Sequence, residues 1–264
     1  MKRVAYQGTK AAFSEIAAHA FFGAEVECIG KTSFQDVFES LVSGEVEHAA
    51  LPIENSLIGS IVENLDLFQR YDVSIIGELC LPIEHCLVGK GTMIQVEKVL
   101  SHPKALAQCT GFFKAHPSIE AIMHYDTAGA ASEIARQGNP AVAAIASRKT
   151  AEVYGLDILK ENLEDDRSNT TRFVFLKRGK AELREQGKCS LLFTLPHRPG
   201  ALVNALKVLE GLNLTQIVSR PIREKPFEYL FFVDVLFSCD IEPVLKTLSQ
   251  HTETLKILGT YTYA

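Results

Sequence analysis

The sequence predicts an α/β protein of two lobes followed by a smaller ferredoxin-like βαββαβ domain. Three observations predict it. Strand and helix patterns alternate through the first two thirds of the 264 residues. A long apolar stretch, Ser74–Gly89, interrupted at Pro82, divides that alternation into two series. After the polar segment Gly179–Gly187 the rhythm becomes strand-helix-strand-strand-helix-strand in fewer than 80 residues. Alternating units imply parallel sheets covered by helices, and the last rhythm implies a ferredoxin-like arrangement.

The elements follow in order. Arg3–Gly8 reads as a strand and Ala11–Phe22 as a helix with Ile16, Ala17 and Ala20 on one side. Val26–Ile29 is a short strand. Phe34, Val37, Phe38 and Leu41 fall at i, i+3, i+4 and i+7, a helical stripe that Ser33 can cap. His48–Ile53 is a strand and Ile61–Arg70 a helix. The second series runs through strands Val96–Leu100, Ile119–Tyr125 and Ala141–Ala146, with helices Ala105–Lys114, Ala128–Arg136 and Thr150–Tyr154 between and after them. Strands Leu156–Leu159 and Phe173–Lys177 close it. In the last domain, strands Cys189–Leu195, Leu214–Pro221, Phe227–Phe237 and Leu255–Tyr263 alternate with helices Gly200–Leu212 and Ile241–His251. The resulting boundaries are 1–179 for the two lobes (about 1–77 with 159–179, and 78–158) and 188–264 for the last domain.

Composition narrows the function. Apolar residues are 47% and the net charge is −5, so nothing calls for nucleic acid or an anionic membrane. No apolar run approaches the length of a membrane span, and Met1–Lys10 lacks the apolar core of a signal peptide, so a cytoplasmic protein is expected. The six cysteines form no Cys-x-x-Cys and read as reduced thiols in apolar surroundings. No two histidines lie two to four positions apart, so no metal is expected, and no phosphate-loop, dinucleotide or Gly-x-Ser-x-Gly pattern occurs. Strand ends carry polar corners at Glu54-Asn55-Ser56, Ser101-His102-Pro103, Asp126-Thr127-Ala128-Gly129 and Ser147. Any one of them reads first as a helix cap, which uses the same residue types; the four together, flanking one cleft beside free helix-start N–H groups, point to a small anionic ligand.

Read together, several blocks resemble the prephenate dehydratases. They are Tyr6-Gln7-Gly8 with Phe13-Ser14-Glu15, Glu54-Asn55-Ser56 with Gly59-Ser60, Glu84-His85-Cys86-Leu87, Ser101-His102-Pro103 with Gln108-Cys109, Asp126-Thr127-Ala128-Gly129, and Asn169-Thr170-Thr171-Arg172-Phe173. Pro199-Gly200-Ala201-Leu202 and Ser219-Arg220-Pro221 resemble the effector motifs of an ACT domain. Ala11 stands where the family usually has glycine, Lys104 where glutamine is usual, and Val218 where an acidic residue commonly precedes Ser-Arg-Pro.

The resemblance implies a catalytic domain with lobes like those of periplasmic binding proteins, and decarboxylating dehydration of prephenate to phenylpyruvate without cofactor or metal. It assigns Thr171 as the donor to the departing hydroxyl. Asn55, Ser101 and Gln108 would line the substrate site, Arg172 would bind a carboxylate, and Phe173 completes the motif. Arg172 could equally form a salt bridge to Asp165 or Asp166, and Ser56 and Thr127 could be caps rather than ligands. The ACT domain would bind L-phenylalanine between two copies, near Gly200, Ala201, Leu202, Ser219, Arg220 and Pro221, in a homodimer or homotetramer. Arogenate dehydratase and a non-enzymatic small-anion-binding regulator with an ACT domain remain as alternatives.

Overall fold

The computed structural model describes residues 1–222 and 225–263; Arg223, Glu224 and Ala264, the expected last residue of the final domain, lie outside the described residues. The first lobe is built on β1 (Arg3–Gln7), β2 (Glu27–Lys31), β3 (His48–Asn55), β5 (Val73–Pro82) and β11 (Thr170–Arg178), in the order β2-β1-β3-β11-β5. The short β4 (Gly59–Ser60) pairs with the end of β3. Helix α1 (Phe13–Phe22) covers one face, where Ala17 and Ala18 meet Phe173 and Phe175. Helices α2 (Phe34–Ser43) and α3 (Val62–Arg70) cover the other, with Phe38, Leu41, Leu65 and Phe68 against Val174 and Leu176. Ser33 caps α2 in a reciprocal box with Asp36, as its spacing predicts.

The second lobe has β6 (Cys86–Gly89), β7 (Lys98–Ser101), β8 (Glu120–Met123), β9 (Val142–Ala146) and β10 (Asp157–Lys160), in the order β10-β6-β9-β7-β8. Both sheets are mixed rather than purely parallel. The strands that carry the chain between lobes run against their neighbours: β11 is antiparallel to β3 and β5, and β6 to β9 and β10. The expected lobe limits at 77 and 159 shift accordingly. Strand β5 pairs with β11 out to Pro82, and β10 stays with β6 to Lys160, so the crossings are 83–85 and 161–169. The helix expected over Ala105–Lys114 is two, α4 (Pro103–Ala107) and α5 (Thr110–Ala115). Asp165 restarts the helix by accepting the N–H groups of Thr110 and Gly111 at 2.8 Å each. Helices α6 (Thr127–Gln137) and α7 (Arg148–Tyr154) complete this lobe.

The last domain contains β12 (Gly187–Thr194), α8 (Ala201–Val208), β13 (Asn213–Pro221), β14 (Tyr229–Phe237), α9 (Glu242–His251) and β15 (Thr254–Tyr261), with strand order β13-β14-β12-β15. One face of this sheet packs on α8 and α9. Its other face does not reach solvent as a separate unit would. Leu192, Leu230, Phe232, Leu258 and Tyr261 join the core of the first lobe beside Ile75 and Leu176. The approach is close enough that a Cβ on Gly259 would lie 2.2 Å from the Ile75 carbonyl oxygen, which only glycine avoids.

Candidate active site

Between the two lobes lies a cleft of about 440 Å³. Strand alternation decides what reaches it. Along β11, Thr171 and Phe173 face the cleft and Arg172 faces away. Asn55, at the end of β3, is the register partner of Thr171. Its Oδ1 accepts the backbone N–H groups of Leu57 and Ile58, each at 3.1 Å. That fixes the amide, so Nδ2 donates to Thr171 Oγ1 at 2.9 Å and to Asn169 Oδ1 at 2.8 Å. Thr171 Oγ1 is therefore already an acceptor, and its own proton is left to point into the cleft. Both residues are buried, so these bonds are shielded from competing water.

The second lobe and the crossing present a similar arrangement. His85 Nε2 lies 2.9 Å from Gln108 Oε1. Burial pushes the His85 imidazole down, only partly opposed by that bond and Glu164, which keeps it neutral at neutral pH. A neutral ring donating from Nε2 occupies Gln108 Oε1 and leaves the amide N–H groups of Gln108, which lines the cleft, free of that bond. His102 Nδ1 accepts the Lys104 N–H at 3.2 Å, and burial with the Lys104 charge lowers its pKa as well. Thr127 lines the cleft at the start of α6, which Asp126 caps through the Ala128 N–H at 2.9 Å. Asp126 Oδ2 also accepts from Thr9 N at 2.9 Å and Thr9 Oγ1 at 2.8 Å, tying the lobes together. Two more bonds do the same: Thr150 Oγ1 to the Ala11 carbonyl and Tyr154 Oη to the Lys10 carbonyl, both 3.1 Å. Ala11 has φ +69°, the left-handed backbone that favours glycine, at the position where glycine is usual in the resembling family.

Asn55, Gln108, Thr127, Thr171 and Phe173 thus meet at one cleft. Arg172 does not. Its guanidinium bonds Asp234 at 2.7 Å, Glu78 at 3.0 Å and the Gln216 amide, at the junction with the last domain, and neither Asp165 nor Asp166 is its partner. Ser101 is fully buried and its hydroxyl donates to the Ile145 carbonyl at 2.6 Å, stitching β7 to β9. Ser56 donates to the Ser168 carbonyl and accepts the Thr170 N–H, both at 3.0 Å, outside the cleft. Sequence reasoning missed Gln7, Ser14, His85, His102, Lys104 and Asn169 as members or supports of the site. The signal was present, because all but Lys104 lie inside blocks already singled out.

Of the expected effector residues, Gly200 has φ +80° and begins α8, with Ala201 and Leu202 in its first turn. Ser219 lies in β13. Arg220 pairs its guanidinium with both oxygens of Asp66, at 3.0 and 2.9 Å, because β13 lies alongside α3. Arg220 and Pro221 line a hollow there with Asp66, Gln69 and Arg70, in which Gly200, Ala201 and Leu202 take no part. All six cysteines are free thiols, and Cys80 and Cys239 are exposed rather than apolar-packed. Among the described residues no helix is long and apolar enough to cross a membrane.

The two mixed sheets define a two-lobed α/β fold, and the cleft between the lobes gathers amide, hydroxyl and helix-start donors of the kind that suit a small anion. Comparison with known proteins gives the particular family. The family model for prephenate dehydratase matches residues 4–181, and the chain belongs to that family. It is 40% identical to arogenate dehydratase/prephenate dehydratase 2, chloroplastic, of Arabidopsis thaliana, covering 98% of this chain and 72% of that protein. It is 37% identical to a bifunctional chorismate mutase/prephenate dehydratase of Enterobacter agglomerans, covering 98% and 70%. Among solved structures, the prephenate dehydratase of Arthrobacter aurescens in complex with L-Phe superposes with a TM-score of 0.89 at 27% identity, covering 98% of this chain and 89% of that one. GqqA, described as a quorum quenching acylase, superposes at 0.90 with 31% identity, covering 100% and 98%.

Proposed function

We propose that the chain converts prephenate to phenylpyruvate in phenylalanine biosynthesis, with Thr171 as the donor to the leaving group, and that L-phenylalanine controls it through the last domain. In the reaction the bond to the ring carboxylate breaks and carbon dioxide leaves. The electron pair left behind completes the aromatic ring as the C–O bond breaks and hydroxide departs. The dianion thereby gives one phenylpyruvate monoanion, one carbon dioxide and one hydroxide. Aromatisation supplies the driving force, so the protein has two tasks: to hold a dianion and to stabilise the oxygen that leaves.

The observation that carries this reading is the fixed Asn55 amide. It makes Thr171 accept internally and leaves the Thr171 proton for the departing oxygen. Gln108, the α6 start at Thr127 and the Lys104 ammonium supply donors for the carboxylates, and Phe173 gives the ring an apolar wall. The βαββαβ unit is read as an ACT domain. It pairs with a second copy in a homodimer or homotetramer, with L-phenylalanine seated at Gly200–Leu202 and the Ser219–Pro221 backbone. That the Arthrobacter aurescens relative was solved with L-Phe supports this. The chain is read as cytoplasmic.

The second reading is arogenate dehydratase, favoured by the dual name of the Arabidopsis relative. The test is turnover of prephenate and arogenate side by side by the purified protein, with a chromogenic acyl amide as control for the acylase activity named for GqqA. Turnover of prephenate that is lost in Thr171→Ala supports the proposal. Preference for arogenate, or acyl hydrolysis without dehydration, overturns it.

A further inference from the structure

In a second concavity, lined in part by the segment joining β1 to α1, three side chains of different chemistry converge. Glu15 and His19 stand one turn apart on α1, and Cys28 projects from β2. A carboxylate oxygen, an imidazole nitrogen and the Cys28 sulfur all lie within 4.8 Å of one another. Glu15 Oε1 and His19 Nε2 are 3.9 Å apart, too far for a hydrogen bond between them and wide enough for an ion to sit between. The Ala11 N–H donates to Glu15 Oε2, Glu15 Oε1 faces His19, and the Tyr6 hydroxyl is a further hydrogen-bond partner of the same carboxylate. The three residues line an open concavity with Tyr6, Gly8 and Thr9.

We propose that Glu15, His19 and Cys28 bind a single divalent transition-metal ion, with zinc the best match. The donor set decides the class. Sulfur and imidazole nitrogen with one carboxylate oxygen suit zinc and its neighbours, not magnesium or calcium, which take oxygen. Zinc bonds of roughly 2.0–2.3 Å place tetrahedral ligand atoms about 3.3–3.8 Å apart. Small rotations of the partly exposed His19 and Cys28 side chains close the remaining gap. Three protein ligands leave the fourth position to water from the open side. The Ala11 N–H on Glu15 is the outer support that orients a metal-bound carboxylate. Spacing among histidines gave no hint of this site, because its donors are three residue types on two elements.

The site has a structural consequence. Glu15 holds Ala11, whose carbonyl accepts from Thr150 of the other lobe, and Gly8 lines both this concavity and the cleft. An ion here stiffens the segment that joins the lobes.

The test uses the untagged full chain after metal removal by a chelator. It is titrated with Zn2+ in a calorimeter and with Co2+ in a spectrophotometer, where cobalt–thiolate bonding gives a charge-transfer band. One ion per chain and a cobalt–thiolate band are expected. Cys28→Ser should abolish the band, and His19→Ala, which removes a ligand, should weaken Zn2+ binding by more than the roughly tenfold that loss of a mere outer-shell support costs. Cys80→Ser and Cys239→Ser, at the two exposed thiols, should leave both readouts unchanged. If Cys28→Ser does not fold, the half-exposed His19→Ala decides alone. Absence of zinc binding in the parent protein overturns the proposal, as does a band that survives Cys28→Ser or follows Cys80 or Cys239, or zinc affinity indifferent to His19→Ala.

Discussion

Arg172 offers the sharpest test of how strand alternation divides labour around the site. It adjoins Thr171, yet its guanidinium sits among Asp234, Glu78 and Gln216, with Glu54 at 3.4 Å. Lys188 contacts Glu78 at 2.6 Å, and Ser190 donates to Asp234 at 2.6 Å. Two cations thus face the two buried carboxylates Glu78 and Asp234. Replacing Arg172 by Met keeps much of the volume and removes the cation that bonds both Asp234 and Glu78, while the Ser190 and Lys188 contacts stay in place. Breaking a buried pair from one side typically costs about 3–5 kcal/mol. Asp234 is fully buried, and burial pushes its carboxyl up against the opposing pull of Arg172, Ser190 and Lys188. Without Arg172 that upward push is less opposed, and Asp234 takes up a proton more readily. A carboxyl raised in the folded state favours folding below its unfolded pKa, and that advantage fades as pH rises through the folded one. The loss in Arg172→Met should therefore be largest at pH 8 and smaller at pH 5. Urea unfolding of parent and variant at both pH values measures it. Arg172→Met/Asp234→Leu should recover most of the loss, since no single charge is then stranded. A loss under about 1 kcal/mol that does not vary with pH would refute the buried-charge account. A folded Arg172→Met with prephenate KM raised a hundredfold would instead restore Arg172 as a carboxylate ligand.

Four further outcomes follow from the same geometry. Thr171→Ala should lower prephenate turnover by about a hundredfold or more while Thr171→Ser keeps much of it, read by steady-state kinetics. His85 and His102 are both held below the usual histidine range, so the folded protein resists protonating them while the unfolded chain does not; melting temperature should decline as pH falls below about 6.5, and less steeply in His85→Gln. Thr9→Ala removes the side-chain half of the latch to Asp126, worth roughly 1.5–3 kcal/mol for a bond to a charged group, and should enlarge the radius of gyration in solution scattering unless a prephenate analogue is bound. A chain ending at Arg178 should aggregate rather than persist as an unregulated enzyme, checked by size-exclusion chromatography, because it uncovers the surface that Leu192, Phe232 and Leu258 bury.

The elements were legible because the first-lobe stripes and the final βαββαβ rhythm follow from local period. Ser33 capping α2 is likewise a local event. What could not be read was direction and partnership. The antiparallel course of β11 depends on the chain returning from the second lobe, and no window of sequence records that. The site divided the same way. Thr171, Asn55 and Gln108 carry donors whose usefulness depends on being fixed by neighbours, and the resemblance brought their positions with it. Ser101 and Ser56 come from equally polar corners, but their hydroxyls are consumed by the Ile145 and Ser168 carbonyls. A polar residue at a strand end does not declare whether it faces the cleft or the next strand.

The same alternation constrains how a ligand on the last domain can act at the cleft. Thr171 and Arg172 are consecutive on a strand held on both sides by β3 and β5, so neither turns without the other. Arg172 is held by Asp234 of β14 and by Gln216 of β13, and Gln216 also donates to Ser60 Oγ at 3.2 Å, beside the Asn55–Gly59 pairing. A shift of β13 and β14 against the first lobe must either drag Arg172, and with it the Thr171 hydroxyl, or break buried charge pairs. The second course is expensive, so small domain movements are transmitted rather than absorbed. Linkage then requires that substrate in the cleft, by favouring one Thr171 position, alter affinity at the last domain by the same factor. Calorimetry of L-phenylalanine with and without a saturating prephenate analogue measures that factor, and Asp234→Asn, which loosens the Arg172 tether while keeping the shape of the side chain, should bring it toward unity.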